Sequence, residues 1–141
     1  MRLLFEKKII GCNPQIIRGL IKDMMACINL WNDLDDEDQF EFRLILNELI
    51  SNAILHGNQC LCNKGLTAII NEVSSDTLSI CICDEGEGFD CDELFEKLAY
   101  PSSLYVERGR GLKIIKALCD DIEFTNCYGG SMVKVDKSIK K

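Results

Sequence analysis

Two long stretches of helical spacing, followed by strand pairs, constrain this chain more than anything else in it. From Pro14 to Trp31 the apolar residues Ile16, Ile17, Leu20, Ile21, Met24, Met25, Ile28 and Trp31 recur at intervals of three and four. That is the pattern of an amphipathic helix with proline in its first turn. A second helix is predicted from about Asp36 to His56, where Asp35, Asp36, Glu37 and Asp38 supply a cap and negative charge for the positive end of the macrodipole. Gly57-Asn58 stops it. Each helix has one apolar stripe, so each needs a second layer to cover it.

That layer is a sheet. Arg2 to Ile10, closed by Gly11, reads as an edge strand, and residues 66–73 and 77–83 read as a hairpin parted by Ser74-Ser75-Asp76. Residues 121–127 and 131–136 pair around Gly129-Gly130. Between the two hairpins lie a short helix from Cys91 to Leu98, a polar connector from Ala99 to Arg108, and a helix from Leu112 to Cys119 directly behind Gly109-Arg110-Gly111. The expected class is α+β: a two-layer sandwich of a mostly antiparallel sheet with helices on one face.

Composition narrows the function classes. A length of 141 residues suits one domain spanning 1–141, and 47% hydrophobic residues with only 2 prolines are enough to build a core. No apolar run approaches the ~20 residues that cross a bilayer, and Met1-Arg2-Leu3-Leu4 has no signal-peptide character, so a cytoplasmic protein without a membrane partner is expected. A net charge of -7 opposes binding along a nucleic-acid backbone. The basic run from Lys137 to Lys141 reads as a solvated terminus. Nine cysteines, an odd number scattered through helices and strands, indicate reduced thiols. Cys60-x-Cys62 and Cys81-x-Cys83 are spaced more tightly than structural zinc pairs, and Cys81 and Cys83 fall in an apolar strand, where cysteine serves as a small hydrophobe.

Three features carry chemistry. On the second helix Glu48, Asn52 and His56 are four apart and form one polar stripe at the rim of the apolar face. Asn52 offers an amide oxygen, a hard ligand of the kind Mg²⁺ takes alongside phosphates and water, and Glu48 beside it can accept a proton from an attacking hydroxyl. Asp84 stands at the mouth of a strand, before Glu85-Gly86-Glu87-Gly88, where glycines allow positive φ and close approach of a ligand. Its carboxylate accepts hydrogen bonds, so it can take one from the amino group of adenine and would reject the O6 of guanine. Gly109-Arg110-Gly111-Leu112 leads into a helix whose free amide groups make an anion site, with Arg110 as an added charge. The chain holds no Gly-x-x-x-x-Gly-Lys-Ser/Thr loop.

In this order the three features resemble the GHKL ATPase superfamily, whose N box matches Glu48-Leu-Ile-Ser-Asn52-Ala-Ile-Leu-His56-Gly57. Asp84-x-Gly86-x-Gly88 and Gly109-x-Gly111-Leu112 match its glycine boxes, and Gly130-Ser131-Met132-Val133 looks like its closing Gly-Thr strand. The resemblance covers nearly the whole chain and is best to the anti-sigma factor serine kinases. It implies ATP and Mg²⁺ as cofactors, Glu48 as general base, Asn52 as Mg²⁺ ligand and Asp84 as adenine reader. Gly86, Gly88, Gly109, Arg110, Gly111 and Leu112 would line the nucleotide. It also implies a homodimer whose partners are a sigma factor and a STAS-type anti-anti-sigma protein phosphorylated on serine. A histidine kinase catalytic domain carries the same boxes but is normally joined to a dimerisation helix pair, and an ATP-binding switch without phosphoryl transfer is the other alternative. The connector 91–108 is short and bears no second phosphate-binding motif to mark a lid. His56, the single histidine, is expected to play a structural part at the helix end.

Overall fold

The computed structural model describes residues 1–87, 107–127 and 129–139. Its elements are β1 (Arg2–Ile10), α1 (Pro14–Trp31), α2 (Asp36–Asn52) with a π turn at Ala53–Gly57, β2 (Gly65–Ser74), β3 (Thr77–Asp84), α3 (Glu107–Leu118), β4 (Asp121–Cys127) and β5 (Gly130–Ser138). The strands form one sheet in the order β1-β2-β3-β5-β4, and every neighbouring pair is antiparallel. The α+β class, the edge position of β1 and both hairpins are as the sequence predicts. The short helix expected at Cys91–Leu98 lies outside the described residues, as does the connector up to residue 106.

Local chemistry sets the helix starts. The Asn13 side chain accepts from the Gln15 amide at 2.8 Å ahead of Pro14, and Asp35 accepts from the Asp38 amide at 2.7 Å. The apolar stripes of α1 and α2 then meet one face of the sheet. Leu20, Met24 and Ile28 from α1 pack with Phe42, Ile45 and Leu46 from α2 over Ile70, Leu78 and Ile80, all at 0% exposure. Burial of each such side chain contributes about 1.5–3 kcal/mol, so this layer contact is the main source of stability.

Strand alternation sorts β3 into two faces. Leu78, Ile80, Ile82 and Asp84 point toward the helices, while Ser79, Cys81 and Cys83 lie on the outer face. The two outer thiol sulfurs are 3.8 Å apart. The hydrogen bond between the two thiols draws Cys83 down to about 7, against burial and the Asp84 charge, which push it up. Burial raises the Cys119 thiol to about 12 and also raises Cys27, so both behave as apolar side chains. No disulfide forms among the described cysteines.

Lys137 departs from the solvated terminus expected of the basic run. It belongs to β5 opposite Leu78, which turns it to the helix side, where it is only 3% exposed. Its ammonium meets the Glu41 carboxylate at 3.3 Å, donates to the Leu118 carbonyl at 2.9 Å and stands 5.8 Å over the Phe42 ring. A buried cation is tolerated because the carboxylate, the helix-end carbonyl and the ring replace its water. Substituting Lys137→Met leaves Glu41 buried without its ammonium and should lower stability by about 3–5 kcal/mol in urea unfolding. Adding Glu41→Leu to it should recover most of that loss.

Candidate functional site

The site begins where α2 changes pitch. After Asn52 the helix widens into the π turn, with the Asn58 amide reaching back to the Ala53 carbonyl at 2.8 Å and the Cys60 amide to Ile54 at 2.9 Å. Such bulges occur often at functional sites. Here the wide turn carries Gly57 against the Asp84 carboxylate, and a Cβ at Gly57 would collide with that carboxylate. Asp84 is 8% exposed and its oxygens are spoken for locally: Oδ1 accepts from the Gly86 amide at 2.9 Å and Oδ2 from the Ser131 hydroxyl at 2.8 Å. Each oxygen keeps a lone pair for one further donor.

Glycines enclose this carboxylate. A Cβ at Gly86 would run into the Gly57 carbonyl, and one at Gly130 into the Asp84 carbonyl. The expectation that Gly86 serves a positive φ is therefore corrected, since the described glycines with positive φ are Gly11 and Gly129. Close backbone approach requires Gly86. Asn58, 2% exposed, ties the loop behind it: its amide nitrogen donates to the Gly65 carbonyl at 3.0 Å and its oxygen accepts from the Glu85 amide at 2.9 Å. Glu85 answers with a bond from the Gly65 amide at 2.5 Å and a contact with Lys8 at 3.1 Å. Those two bonds, the backbone one first, hold its carboxyl below the usual range.

The second half of the site is the contact of α2 with α3. Gly111 packs on Glu48 so closely that a Cβ there would strike Oε2, and the Asn52 amide nitrogen is 3.5 Å from that same point. Asn52 is 8% exposed and its Nδ2 has no hydrogen-bond partner, one of two such buried side-chain atoms among the described residues. A buried amide edge without a partner costs about 1–3 kcal/mol. Rotation about the side-chain bond places the carbonyl oxygen at that point instead. An oxygen there, next to the half-buried Glu48, is a donor set that fits Mg²⁺.

The glycine-led helix differs from its expected form. α3 covers Glu107–Leu118 rather than opening at Leu112, so Gly109 and Gly111 lie inside it. Leu112 is 1% exposed and part of the core, which leaves only its backbone for a ligand. The side chain of Arg110 and the whole of Gly88 lie outside the described residues. His56 is half-buried on the π turn beside Gly57.

The family model of the histidine kinase-like ATPase domain matches residues 14–137. The chain belongs to that family. Among curated proteins, serine-protein kinase RsbW of Staphylococcus aureus (strain bovine RF122 / ET3-1) is 27% identical over 116 residues, covering 79% of this chain and 69% of the kinase. The kinase of the same name from strain JH9 matches over the same span with the same identity. Among solved structures, the catalytic domain of histidine kinase ThkA aligns with 99% of this chain and 97% of its own at a TM-score of 0.60 and 17% identity. The histidine kinase domain of the blue-light activated kinase from Erythrobacter litoralis EL346 aligns with 87% of this chain, at a TM-score of 0.56 and 16% identity. This chain spans 61% of that domain's length. At these identities the two structures establish a shared fold.

In this ATPase-family fold, Ser131, Asn58 and Glu85 support the candidate site, and sequence reasoning assigned none of them a part in it. Ser131 lay within a recognised motif, but its bond to Asp84 emerges only from the β3–β5 register. Ser131→Ala should cost about 1–3 kcal/mol in urea unfolding by stripping a donor from a buried carboxylate, and Ser131→Thr should restore it. Gly86→Ala should be worse than either, because its Cβ meets backbone that cannot rotate away.

Proposed function

We propose that residues 1–141 act as one ATP-binding domain that transfers the γ-phosphoryl group of ATP to a serine hydroxyl on a partner protein. The observation that carries this reading is the partnerless Asn52 amide beside Glu48, beneath Gly111, on the same helix whose last turn closes on Asp84. In this reading the Asp84 carboxylate selects adenine by accepting from its amino group, and Asn52 holds Mg²⁺. Held there, Mg²⁺ would supply positive charge to offset what develops on the phosphate oxygens during transfer. Gly109, Arg110 and Gly111, with Gly86 and Gly88, line the phosphates, and the backbone of Leu112 closes that end. Glu48 takes the proton of the incoming serine as the serine oxygen bonds to the γ-phosphorus and the bridging oxygen departs with ADP.

A second feature supports a protein substrate. A groove of about 340 Å³ between α1 and α2 is lined by Arg18, Lys22 and Arg43, with Ile21 and Asn47. None of the three cations is paired with a carboxylate among the described residues. On a chain of net charge -7 this is a local positive surface, suited to an acidic patch on another protein. The resemblance to RsbW points to a STAS-type anti-anti-sigma protein as the serine-bearing partner and a sigma factor as the protein sequestered. A cytoplasmic location and a homodimer belong to the same reading. Among the described residues no helix is long and apolar enough to cross a membrane.

Calorimetric titration with Mg·ATP and Mg·GTP tests the site directly. Selective ATP binding should fall by at least about tenfold in Asn52→Ala and in Asp84→Asn, each of which removes a contact worth about 1.5–3 kcal/mol. Glu48→Gln should keep ATP binding and slow phosphoryl transfer to the STAS partner by about 10²–10⁴-fold. A Glu48→Gln protein that phosphorylates at the wild-type rate would sink the general-base assignment. Reversing charge with Arg43→Glu should weaken partner capture and leave ATP affinity unchanged.

A further inference from the structure

We propose that Cys81 and Cys83, with Met132 opposite Cys83 on β5, form a chelating site for the soft monovalent ion Cu(I) on the outer face of the central strand. The sequence spacing alone argued for packing, because one intervening residue is too few for a structural zinc loop. On an extended strand the same spacing has another consequence: residues two apart share a face. Both side chains turn toward each other there, and their sulfurs stand 3.8 Å apart. Thiolate–metal bonds of about 2.3 Å set two sulfur ligands roughly 3.8 Å apart at a tetrahedral angle and roughly 4.0 Å apart at a trigonal one. The pair is thus spaced for a common ion without backbone movement.

Disulfide formation is disfavoured by the same backbone. Residues two apart on a strand have Cα atoms roughly 6.4–6.8 Å apart, at the upper end of what a disulfide spans, and the sulfurs would have to close to about 2.05 Å. The strand is held on both sides, by β2 and by β5, along its whole length.

The surroundings select the ion. Met132 is directly opposite Cys83 on the same face, where Cβ atoms of paired residues are about 4.5–5.5 Å apart, within reach of a flexible thioether. On the other side Thr67 faces Cys83 and Ile69 faces Cys81. No His, Asp or Glu is directly opposite either thiol, and among the described residues no group of three His, Cys, Asp or Glu side chains gathers that could hold a metal. Two thiolates and a thioether lack the oxygen ligands Mg²⁺ takes and the fourth ligand a structural Zn²⁺ site closes with, and suit three-coordinate Cu(I). Lys134, opposite Cys81, holds its ammonium only loosely to Glu123 at 4.0 Å, and so supplies positive charge beside two thiolates and one monovalent cation. Binding forms three S–Cu bonds, two from thiolates and one from the Met132 thioether, releases the thiol protons to solvent and involves no change of oxidation state. Asp84 alternates to the opposite face, so the ion and a nucleotide would not compete for space.

The test is an anaerobic titration of the full chain with Cu(I) in competition with bathocuproine disulfonate. Copper held by other thiols cancels when proteins are compared. The wild-type chain should hold about one more tightly bound equivalent than Cys81→Ser/Cys83→Ser, and Met132→Leu should keep that equivalent with roughly tenfold lower affinity. Urea midpoints of the three proteins establish that each is folded. Should the double variant be unfolded, Cys83→Ser alone, at the more exposed of the two thiols, serves in its place. Equal copper stoichiometry in wild type and the folded thiol variant overturns the proposal.

Discussion

The Asp84 carboxylate is enclosed by backbone that comes close only because side chains are missing. Gly57 of the π turn, Gly86 of the loop after β3 and Gly130 at the start of β5 each occupy a position where a Cβ would overlap Asp84 or its neighbour. Three segments far apart in sequence thus converge on one buried charge. Burying a carboxylate is costly unless donors replace its water, and the Gly86 amide and Ser131 hydroxyl do so. The π turn is part of the same arrangement, because the wider pitch brings the end of α2 to this point while Asn52 and Glu48 stay one and two turns back on the helix.

Much of this was legible in advance. Helical spacing gave α1 its bounds to the residue, and runs of β-branched residues broken by turn signals located both hairpins. What escaped were positions decided by partners distant in sequence. Glycines at 109 and 111 argue against a helix on propensity alone, yet α3 runs through them because Gly111 must lie against Glu48. Gly86 looked like a turn residue needing positive φ, whereas its role is to admit the Gly57 carbonyl. Asn58 looked like a helix stop and also links β2 to the Asp84 loop. Lys137 sat in a run of like charges at the end of the chain, and nothing local reveals that Glu41 lies beneath it.

These same distant contacts fix the register of the sheet. Side chains alternate with period two, so sliding β5 against β3 by one residue would turn Ser131 away from Asp84 and push Lys137 out of the core. Hydrophobic matching alone resists such a slip only weakly at the strand ends, where Asp84 and Ser131 at one end and Lys137 at the other replace apolar residues. Polar contacts do the work there. Asp84 requires Ser131 opposite it at one end, and Lys137, opposite Leu78, requires Glu41 at the other.

A buried ion pair is a poor source of stability compared with well-packed apolar side chains, but its cost of separation is large and specific to one alignment. The Lys137–Glu41 pair therefore serves this fold chiefly as a register pin, joining the C-terminal strand to the first turns of α2. That alignment puts Ser131 under Asp84 on the helix side, and by the same alternation it puts Met132 beside Cys83 on the outer side. The two faces of β3 are not independent. Whatever holds β5 in place for the carboxylate also assembles the sulfur cluster behind it.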